Sequence, residues 1–344
     1  MRAFVVLLAL LLPLAAVGCA STAARPVTCS PLPLEKGKGS GHWERWRTQM
    51  WTIPDRARHA VYDVLTTPDS PFRVAGVMAY DVPASTKSLG DETVCVYLKR
   101  QGGAWGLLQP RTTDEDGRFQ VSIPAGLPLG THDMLVQVPG DASGVTARVY
   151  VRPPRTVVAV FDIDGTLTKS DKESLEKLAH EEFPALQPDA DSLTRVVHGK
   201  CYMLLYLTAR ASPYLNTTRE WLGKNHFAPG ALVMAEDKNP LHLMTAEKQV
   251  KLKTEILATL ASLGFVIAKG FGNRPGDRDA YAAVHARDYI IDPSGKIREW
   301  KSVIAELEKE PEVTQPGGQR CPMPDLPAPV WSGSGASTDP SGMK

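Results

Sequence analysis

The chain has 344 residues, 39 Lys and Arg against 38 Asp and Glu, a net charge of +1 and 43% hydrophobic residues. This length suits two domains, each with its own core, and the balanced charge excludes the broad basic field of a nucleic-acid-binding protein. The five cysteines, Cys19, Cys29, Cys95, Cys201 and Cys321, follow no zinc-binding spacing.

Residues 1–18 read as a targeting segment. Met1 and Arg2 give a positive start, Phe4 to Leu14 an apolar run, and Ala16-Val17-Gly18-Cys19 a small-residue cleavage site ending in cysteine. The pattern resembles a bacterial lipoprotein signal, which implies export, lipidation of Cys19 and an anchor in a bacterial membrane, with Ala20 resembling outer-membrane sorting; an ordinary secretory signal is the alternative. The apolar run is short for a membrane span. Residues 19–41 lack apolar periodicity and read as a tether. In residues 42–71, Trp43, Trp46 and Met50 recur at near-helical spacing with Arg45 and Arg47 between them. Two readings stay open there, a short helix packing on the next domain and an interfacial helix dipping into lipid.

Over residues 72–152 the period changes to strands. Short β-branched and aromatic runs, F-R-V-A-G-V, E-T-V-C-V-Y-L-K, G-R-F-Q-V-S-I, H-D-M-L-V-Q-V and A-R-V-Y-V-R, alternate with Gly, Pro and Asp clusters. They predict an immunoglobulin-like β-sandwich with a hairpin turn at Asp114 to Gly117, whose acids serve turn chemistry rather than calcium. Its partner is not legible. Cys95 and Cys201 read as buried small hydrophobes, whereas Cys29 and Cys321 lie in flanks and are free to pair in an oxidising compartment.

Residues 153–310 alternate strands and helices, as a parallel sheet requires. Val157 to Phe161 is a buried strand, followed by a helix over Lys172 to Glu182, a strand over Met203 to Leu207, and a helix from Asn216 to Lys224. A strand near Leu232 to Met234, a helix from Thr245 to Ser262, and a strand from Phe265 to Lys269 come next. The loop G-F-G-N-R-P-G-D-R-D-A-Y leads to a strand over Tyr289 to Ile291 and a helix through Glu308. The Pro- and Gly-rich residues 311–344 read as a disordered tail.

Asp162 and Asp164 leave the first of these strands, followed by Gly165 and Thr166. Carboxyl ends of parallel strands are where such sheets bind ligands, and two crowded carboxylates call for a compensating cation. Thr208, a lysine of the Thr245 to Ser262 helix, and Asn273 with Asp277 converge on the same edge. A nucleophilic carboxylate, a second carboxyl for the leaving oxygen, a hydroxyl, a lysine and a metal together suit phosphoryl transfer.

F-D-I-D-G-T-L-T, Thr208, the lysine and G-N-R-P-G-D resemble the four signatures of the haloacid dehalogenase (HAD) superfamily, an α/β fold. The resemblance implies Asp162 as nucleophile, Asp164 as acid/base, Thr208 and Lys253 as further catalytic residues, and Mg²⁺ held by Asp162, the Asp164 carbonyl, Asp277 and Asn273. Lys253 is preferred because Leu257 follows it at the family spacing; Lys248 and Lys251 share its helix and stay open. Gly165, Thr166, Ala209, Arg210 and Arg274 fall where phosphate or substrate would bind, although Arg210 and Arg274 are equally suited to pairing with acids. D-I-D-G-T-L-T-K-S-D, L-Y-L-T-A-R, F-G-N-R-P-G-D, Tyr281 and I-D-P-S-G-K-I more narrowly resemble the catalytic domain of lipins, Mg²⁺-dependent phosphatidate phosphatases. About forty residues separate Asp164 from Thr208, so the cap is small or missing and the mouth open. The substrate expected from the resemblance is phosphatidic acid at a membrane. The alternatives are an exported phosphatase for soluble phosphoesters and a phosphatidic-acid-binding module without turnover.

Overall fold

The computed structural model describes residues 27–83, 85–170, 183–235, 245–291 and 299–318; Cys19, Cys321 and the expected helix over Lys172 to Glu182 lie outside them. Ten strands form the amino-terminal part: β1 (Ala60–Val61), β2 (Val64–Thr66), β3 (Phe72–Val77), β4 (Ala79–Val82), β5 (Ser85–Ser88), β6 (Thr93–Lys99), β7 (Trp105–Thr112), β8 (Arg118–Ile123), β9 (Gly130–Gln137) and β10 (Gly144–Val151). They pair as one sheet in the order β1-β3-β8, a second in the order β2-β10-β9-β6-β7, and a separate β4-β5 hairpin. Alternation drives the layering. Strand β8 buries Phe119, Val121 and Ile123 and exposes the residues between, and these meet Val96, Val136 and Val149 of the facing sheet in one core.

Several expectations are corrected here. Residues 42–71 form no α-helix but two short 3₁₀ turns, Thr48–Met50 and Pro54–Arg56, and then β1 and β2. The buried Glu92 carboxylate explains the turn: it accepts from the backbone N–H of Glu44 (2.9 Å) and Arg45 (3.1 Å) and from the Thr48 hydroxyl (2.5 Å). The Asp114 to Gly117 turn forms, with the Asp114 carboxylate accepting from the N–H groups of Asp116 and Arg118. It is not a hairpin, because β7 pairs with β6 and β8 with β3. Cys95 is bonded to Cys29 rather than free, so Cys29 is not left for Cys321; Cys201 is disulfide-bonded as well. Cys95, Tyr97 and Leu135 face away from the sandwich core, and the stretch beginning at Val27 covers that face, the Tyr97 hydroxyl donating to the Ser30 carbonyl (3.0 Å). Part of the expected tether is therefore bound to the sandwich, and the expected disordered tail is ordered at its start, where buried Gln315 accepts from the Val157 N–H (2.9 Å) and donates to the Val157 and Cys201 carbonyls.

The carboxyl-terminal part is a five-stranded sheet in the order β13-β12-β11-β14-β15, from β11 (Val157–Phe161), β12 (Met203–Thr208), β13 (Ala231–Met234), β14 (Val266–Gly272) and β15 (Arg287–Ile290). All four pairings are parallel. Helices α1 (Ala190–Gly199), α2 (Leu215–Lys224), α3 (Ala246–Ser262), α4 (Pro275–Ala282) and α5 (Trp300–Leu307) cover both faces. Strand β11 shows why: Ala159 and Phe161 point toward Leu193, Trp221 and Val303, whereas Val158 and Val160 point toward Leu257, Leu260 and Tyr281. Helix α4 occupies part of the expected loop. Chain order reverses between β11 and β14, which makes their carboxyl ends the switch point of the sheet.

One row of rings levels those ends. Tyr206, Phe161, Phe271 and Tyr289 are cross-strand neighbours, with Phe161 and Phe271 stacked at 4.4 Å and Phe271 and Tyr289 at 5.0 Å between centroids. The residues that follow the row form the carboxyl edge of the sheet, where Asp162, Asp164 and Asn273 stand.

A polar seam joins the two parts. The Asp63 carboxylate accepts from the N–H of Arg148 (2.9 Å), the N–H of Leu232 (3.0 Å) and the Arg219 guanidinium (2.7 Å). Asn216 donates to the His59 carbonyl (2.8 Å), and the Tyr150 hydroxyl to that of Gly230 (3.0 Å).

His59 gives the fold a pH dependence. Its ring is buried, accepts from the Ala79 N–H (3.3 Å) and meets the Ser143 hydroxyl (2.8 Å). Burial pushes its pKa from 6.5 down to about 3. The unfolded chain takes up the proton first as pH falls, so this stability is complete above about pH 6.5 and declines toward pH 3. Urea unfolding should lose about 2 kcal/mol between pH 7 and pH 5 from this group, and His59→Gln should flatten that difference; equal losses in both proteins would contradict the assignment.

Candidate active site

After Phe161 the chain stays in the ladder for one more residue, the Asp162 N–H donating to the Phe271 carbonyl (2.9 Å). Gly165 then takes φ +71°, a left-handed conformation suited to glycine. The N–H of Leu167 returns to the Ile163 carbonyl (2.8 Å), and the N–H of Gly165 donates to the Thr168 hydroxyl (2.9 Å). This tight turn is what holds Asp162 and Asp164 at the end of the strand.

Helix α3 brings the lysine. Thr245 caps it, and Lys253, Leu257 and Leu260 form its buried stripe. Lys248 and Lys251 are exposed, and Lys251 lies beside Glu255. Of the three candidates, Lys253 is the one at the carboxylates: its ammonium donates to Asp162 (2.6 Å) and Asp277 (2.5 Å). Asp277 is held by α4, which starts with Pro275. Its other oxygen accepts from the N–H groups of Asn273 and Arg274, both at 3.0 Å. Gly272 makes that approach possible, since a Cβ there would stand 2.5 Å from the Asp277 Cβ.

Charge is concentrated in this cluster. Burial pushes Asp162 up from 3.8 to about 7, the ammonium of Lys253 acting against the rise and Asp277 and Asp164 adding to it. Burial works against the charge of Lys253, but Asp162 and Asp277 outweigh it and hold Lys253 above its ordinary value. The buried Thr166 hydroxyl donates to Asp162 (3.0 Å) and lies 3.3 Å from the Asn273 amide oxygen. Thr166 thus orients the nucleophile candidate; its carbonyl accepts from the Trp300 indole (2.9 Å).

Asp164 has a different setting. Arg210 donates to it from Nε (3.0 and 3.1 Å) and Nη2 (2.8 Å), and the Thr208 hydroxyl adds a bond of 3.0 Å. The Arg210 side chain has no solvent exposure; it also donates to Thr218 (2.8 Å) and lies 6.0 Å from the Trp221 ring. Of the two uses open for Arg210, the structure shows pairing with an acid. Thr218 and Trp221, on the following helix, complete this support, and no short-range pattern in the sequence connects them to Asp164. Arg274 is half-buried and donates to Gln249 (3.1 Å). Ala209, also half-buried, lies between Thr208 and Arg210 in the chain.

The donor set suits a small hard cation. Among the described residues no three His, Cys, Asp or Glu side chains gather as a metal cluster. Asp162 and Asp277 instead share one ammonium, with the Asn273 amide oxygen nearby. Two carboxylates and an amide oxygen match the all-oxygen, low-charge coordination of Mg²⁺, which leaves room for phosphate.

Comparison with known proteins connects this geometry to relatives. Residues 57–151 match the β-sandwich domain of PITM 1-3. The chain is 27% identical over 216 residues to protein retinal degeneration B of Drosophila melanogaster, covering 61% of this chain and 17% of that protein. It is 24% identical over 257 residues to human membrane-associated phosphatidylinositol transfer protein 1, covering 72% and 20%. Against the mouse phosphatidate phosphatase LPIN3 it is 28% identical over 231 residues, covering 59% and 26%. The chain thus spans only about a fifth of the first two relatives' length. Residues 127–310, more than half of the sequence, match the LNS2 (Lipin/Ned1/Smp2) model, and the chain belongs to that family.

Proposed function

We propose that the protein is a membrane-anchored, Mg²⁺-dependent phosphatase that hydrolyses phosphatidic acid through an aspartyl-phosphate on Asp162. The observation that carries this reading is the intact pair Asp162 and Asp164 at the switch point, with Lys253 between Asp162 and Asp277. Its family membership and the likeness to a protein named a phosphatidate phosphatase support it.

In this reading Asp164 takes up a proton as substrate binds and enters the step as the acid: an Asp162 oxygen bonds to phosphorus as the bond to the ester oxygen breaks, and Asp164 gives that oxygen its proton. Water then attacks phosphorus, returns a proton to Asp164, and Asp162 leaves as carboxylate. Lys253 is the donor for the phosphoryl oxygens, Thr166 holds Asp162, and Thr208 and Arg210 fix the direction of Asp164. Asp162, the Asp164 carbonyl, Asp277 and Asn273 would hold Mg²⁺, which when bound offsets the phosphoryl charge. The parallel sheet is then of haloacid dehalogenase type with a small cap. The sandwich is of immunoglobulin type, a reading supported by its sheet orders and by β2 running parallel to β10.

Export and lipidation at Cys19 belong to the same proposal. The disulfide between Cys29 and Cys95 and the oxidised Cys201 support an oxidising compartment outside the cytoplasm. The test is phosphate release from phosphatidic acid vesicles with and without Mg²⁺, beside a soluble aryl phosphate. Mg²⁺-dependent release from the vesicles is expected. No release there, with good turnover of the soluble ester, would reassign the protein as a phosphatase of soluble phosphoesters.

A further inference from the structure

Three large apolar side chains near the start of the described chain lie on the surface: Trp46 is 65% exposed, Met50 73% and Ile53 44%. Glu92 pins the turn that carries Trp46 and Met50 through the N–H groups of Glu44 and Arg45 and the Thr48 hydroxyl. Their exposure is therefore built into the turn. Trp43 and Trp51 from the same stretch pack against the sandwich core, so the segment divides its aromatics between core and solvent. The border carries both signs: the Arg47 guanidinium stands 5.2 Å from the Trp46 ring and the Lys87 ammonium 4.3 Å from the Trp51 ring, while Glu44, Asp91 and Glu115 line the cleft beside Trp46, Asp91 paired with Arg45.

The seam fixes the orientation of this patch. Helix α2 begins just after the carboxyl end of β12, at the catalytic edge, and runs away from it. Asn216, in its first turn, reaches the His59 carbonyl, whereas Arg219, further along, reaches those of Val61 and Thr146. Tyr150 meets Gly230 just before β13 begins, at the opposite end of the sheet. The sandwich end that precedes β1 and β10 thus points the same way as the catalytic edge. The turn at Thr48–Met50 belongs to that end, since Trp51 packs on Tyr80 (5.8 Å), and Tyr80 on His59 (4.9 Å). The start of the described chain is tied there too: Cys29 is bonded to Cys95, whose cross-strand partner is Gln137, the last residue of β9.

We propose that Trp46, Met50 and Ile53 form a docking surface for a phospholipid bilayer, seated at the lipid–water interface so that the catalytic edge faces the same membrane. The proposal rests on the reading of the substrate as a membrane lipid. Its support is the coincidence at one end of the patch, the active-site edge and the attachment of the amino-terminal segment. Trp with flanking Arg and Lys suits the headgroup boundary, the ring entering the acyl edge and the cation staying with phosphate.

The test uses the full chain carrying Cys19→Ser, so that no lipid anchor contributes, and phosphatidylcholine–phosphatidylglycerol vesicles free of phosphatidic acid. Replacing Trp46, Met50 and Ile53 together by Ser should weaken vesicle co-sedimentation at least about tenfold. Val266→Ser, which changes an exposed apolar residue at the opposite end of the sheet, should leave it unchanged. On phosphatidic acid vesicles the triple variant should lose turnover in parallel, with soluble aryl phosphate turned over as before. Unchanged co-sedimentation of the triple variant overturns the proposal, whatever the enzyme hydrolyses. A concentration-dependent dimer that the triple variant abolishes, with vesicle binding intact, overturns it in favour of a second copy. If the parent hydrolyses no phosphoester but the binding difference holds, the catalytic reading fails and the docking surface stands.

Discussion

Asp162→Asn should lower phosphate release by roughly 10⁴-fold or more while the protein folds as before. The size follows from removing the atom that would bond to phosphorus. The preserved fold follows from local geometry: Asn has nearly the same shape, and its amide oxygen can take the Lys253 ammonium that Asp162 accepts at 2.6 Å. Its NH₂ then faces Thr166, whose hydroxyl lies 3.3 Å from the Asn273 oxygen and can turn to it. The substitution also removes a carboxylate that burial already disfavours, so thermal stability should be kept or raised. Initial rates on vesicle-borne phosphatidic acid, together with a melting curve, check both parts. A variant that still releases phosphate at the parent rate would sink the nucleophile assignment. If parent and variant alike bind phosphatidic acid and neither releases phosphate, the domain is a binding module.

The sequence made this core of the site legible because its parts are local. The buried strand Val157 to Phe161 and the turn at Gly165 place Asp162 and Asp164 without knowledge of anything distant. The spacing of Lys253 and Leu257 puts both on the buried stripe of α3. Arg210 was harder to read, because its environment is made by residues far apart in the chain: Asp164 from one strand end and Thr218 and Trp221 from a later helix. The same holds for the disulfide between Cys29 and Cys95, 66 residues apart, since a flank without periodicity gives no hint of the sheet face it covers. Helix α4 carried a usable signal, Pro275 at its first position and Asp277 two residues later, but the surrounding Gly and Arg read as loop. The two- and three-residue strands β1 and β2 are too short for any period to show.

Lys253→Met should destabilise the protein by about 3 kcal/mol in the absence of divalent cation and reduce turnover by roughly 10² to 10³-fold. Met keeps most of the volume of the aliphatic stem but removes the ammonium that Asp162 and Asp277 both accept. Both carboxylates are buried, so their repulsion is poorly screened by solvent once that charge is gone. The lost turnover has a separate origin, the missing donor for the phosphoryl oxygens. A cation bound by the same two carboxylates would neutralise what the lysine neutralises now. Added Mg²⁺ should therefore raise the melting temperature of Lys253→Met by more than that of the parent, and the variant should bind Mg²⁺ more tightly in calorimetry. Stability restored without turnover would separate the two roles of the lysine, as charge balance for the carboxylate pair and as a donor to phosphate. Equal Mg²⁺-induced shifts in parent and variant would show that cation and lysine do not share these carboxylates, and would remove Asp162 and Asp277 from the metal site.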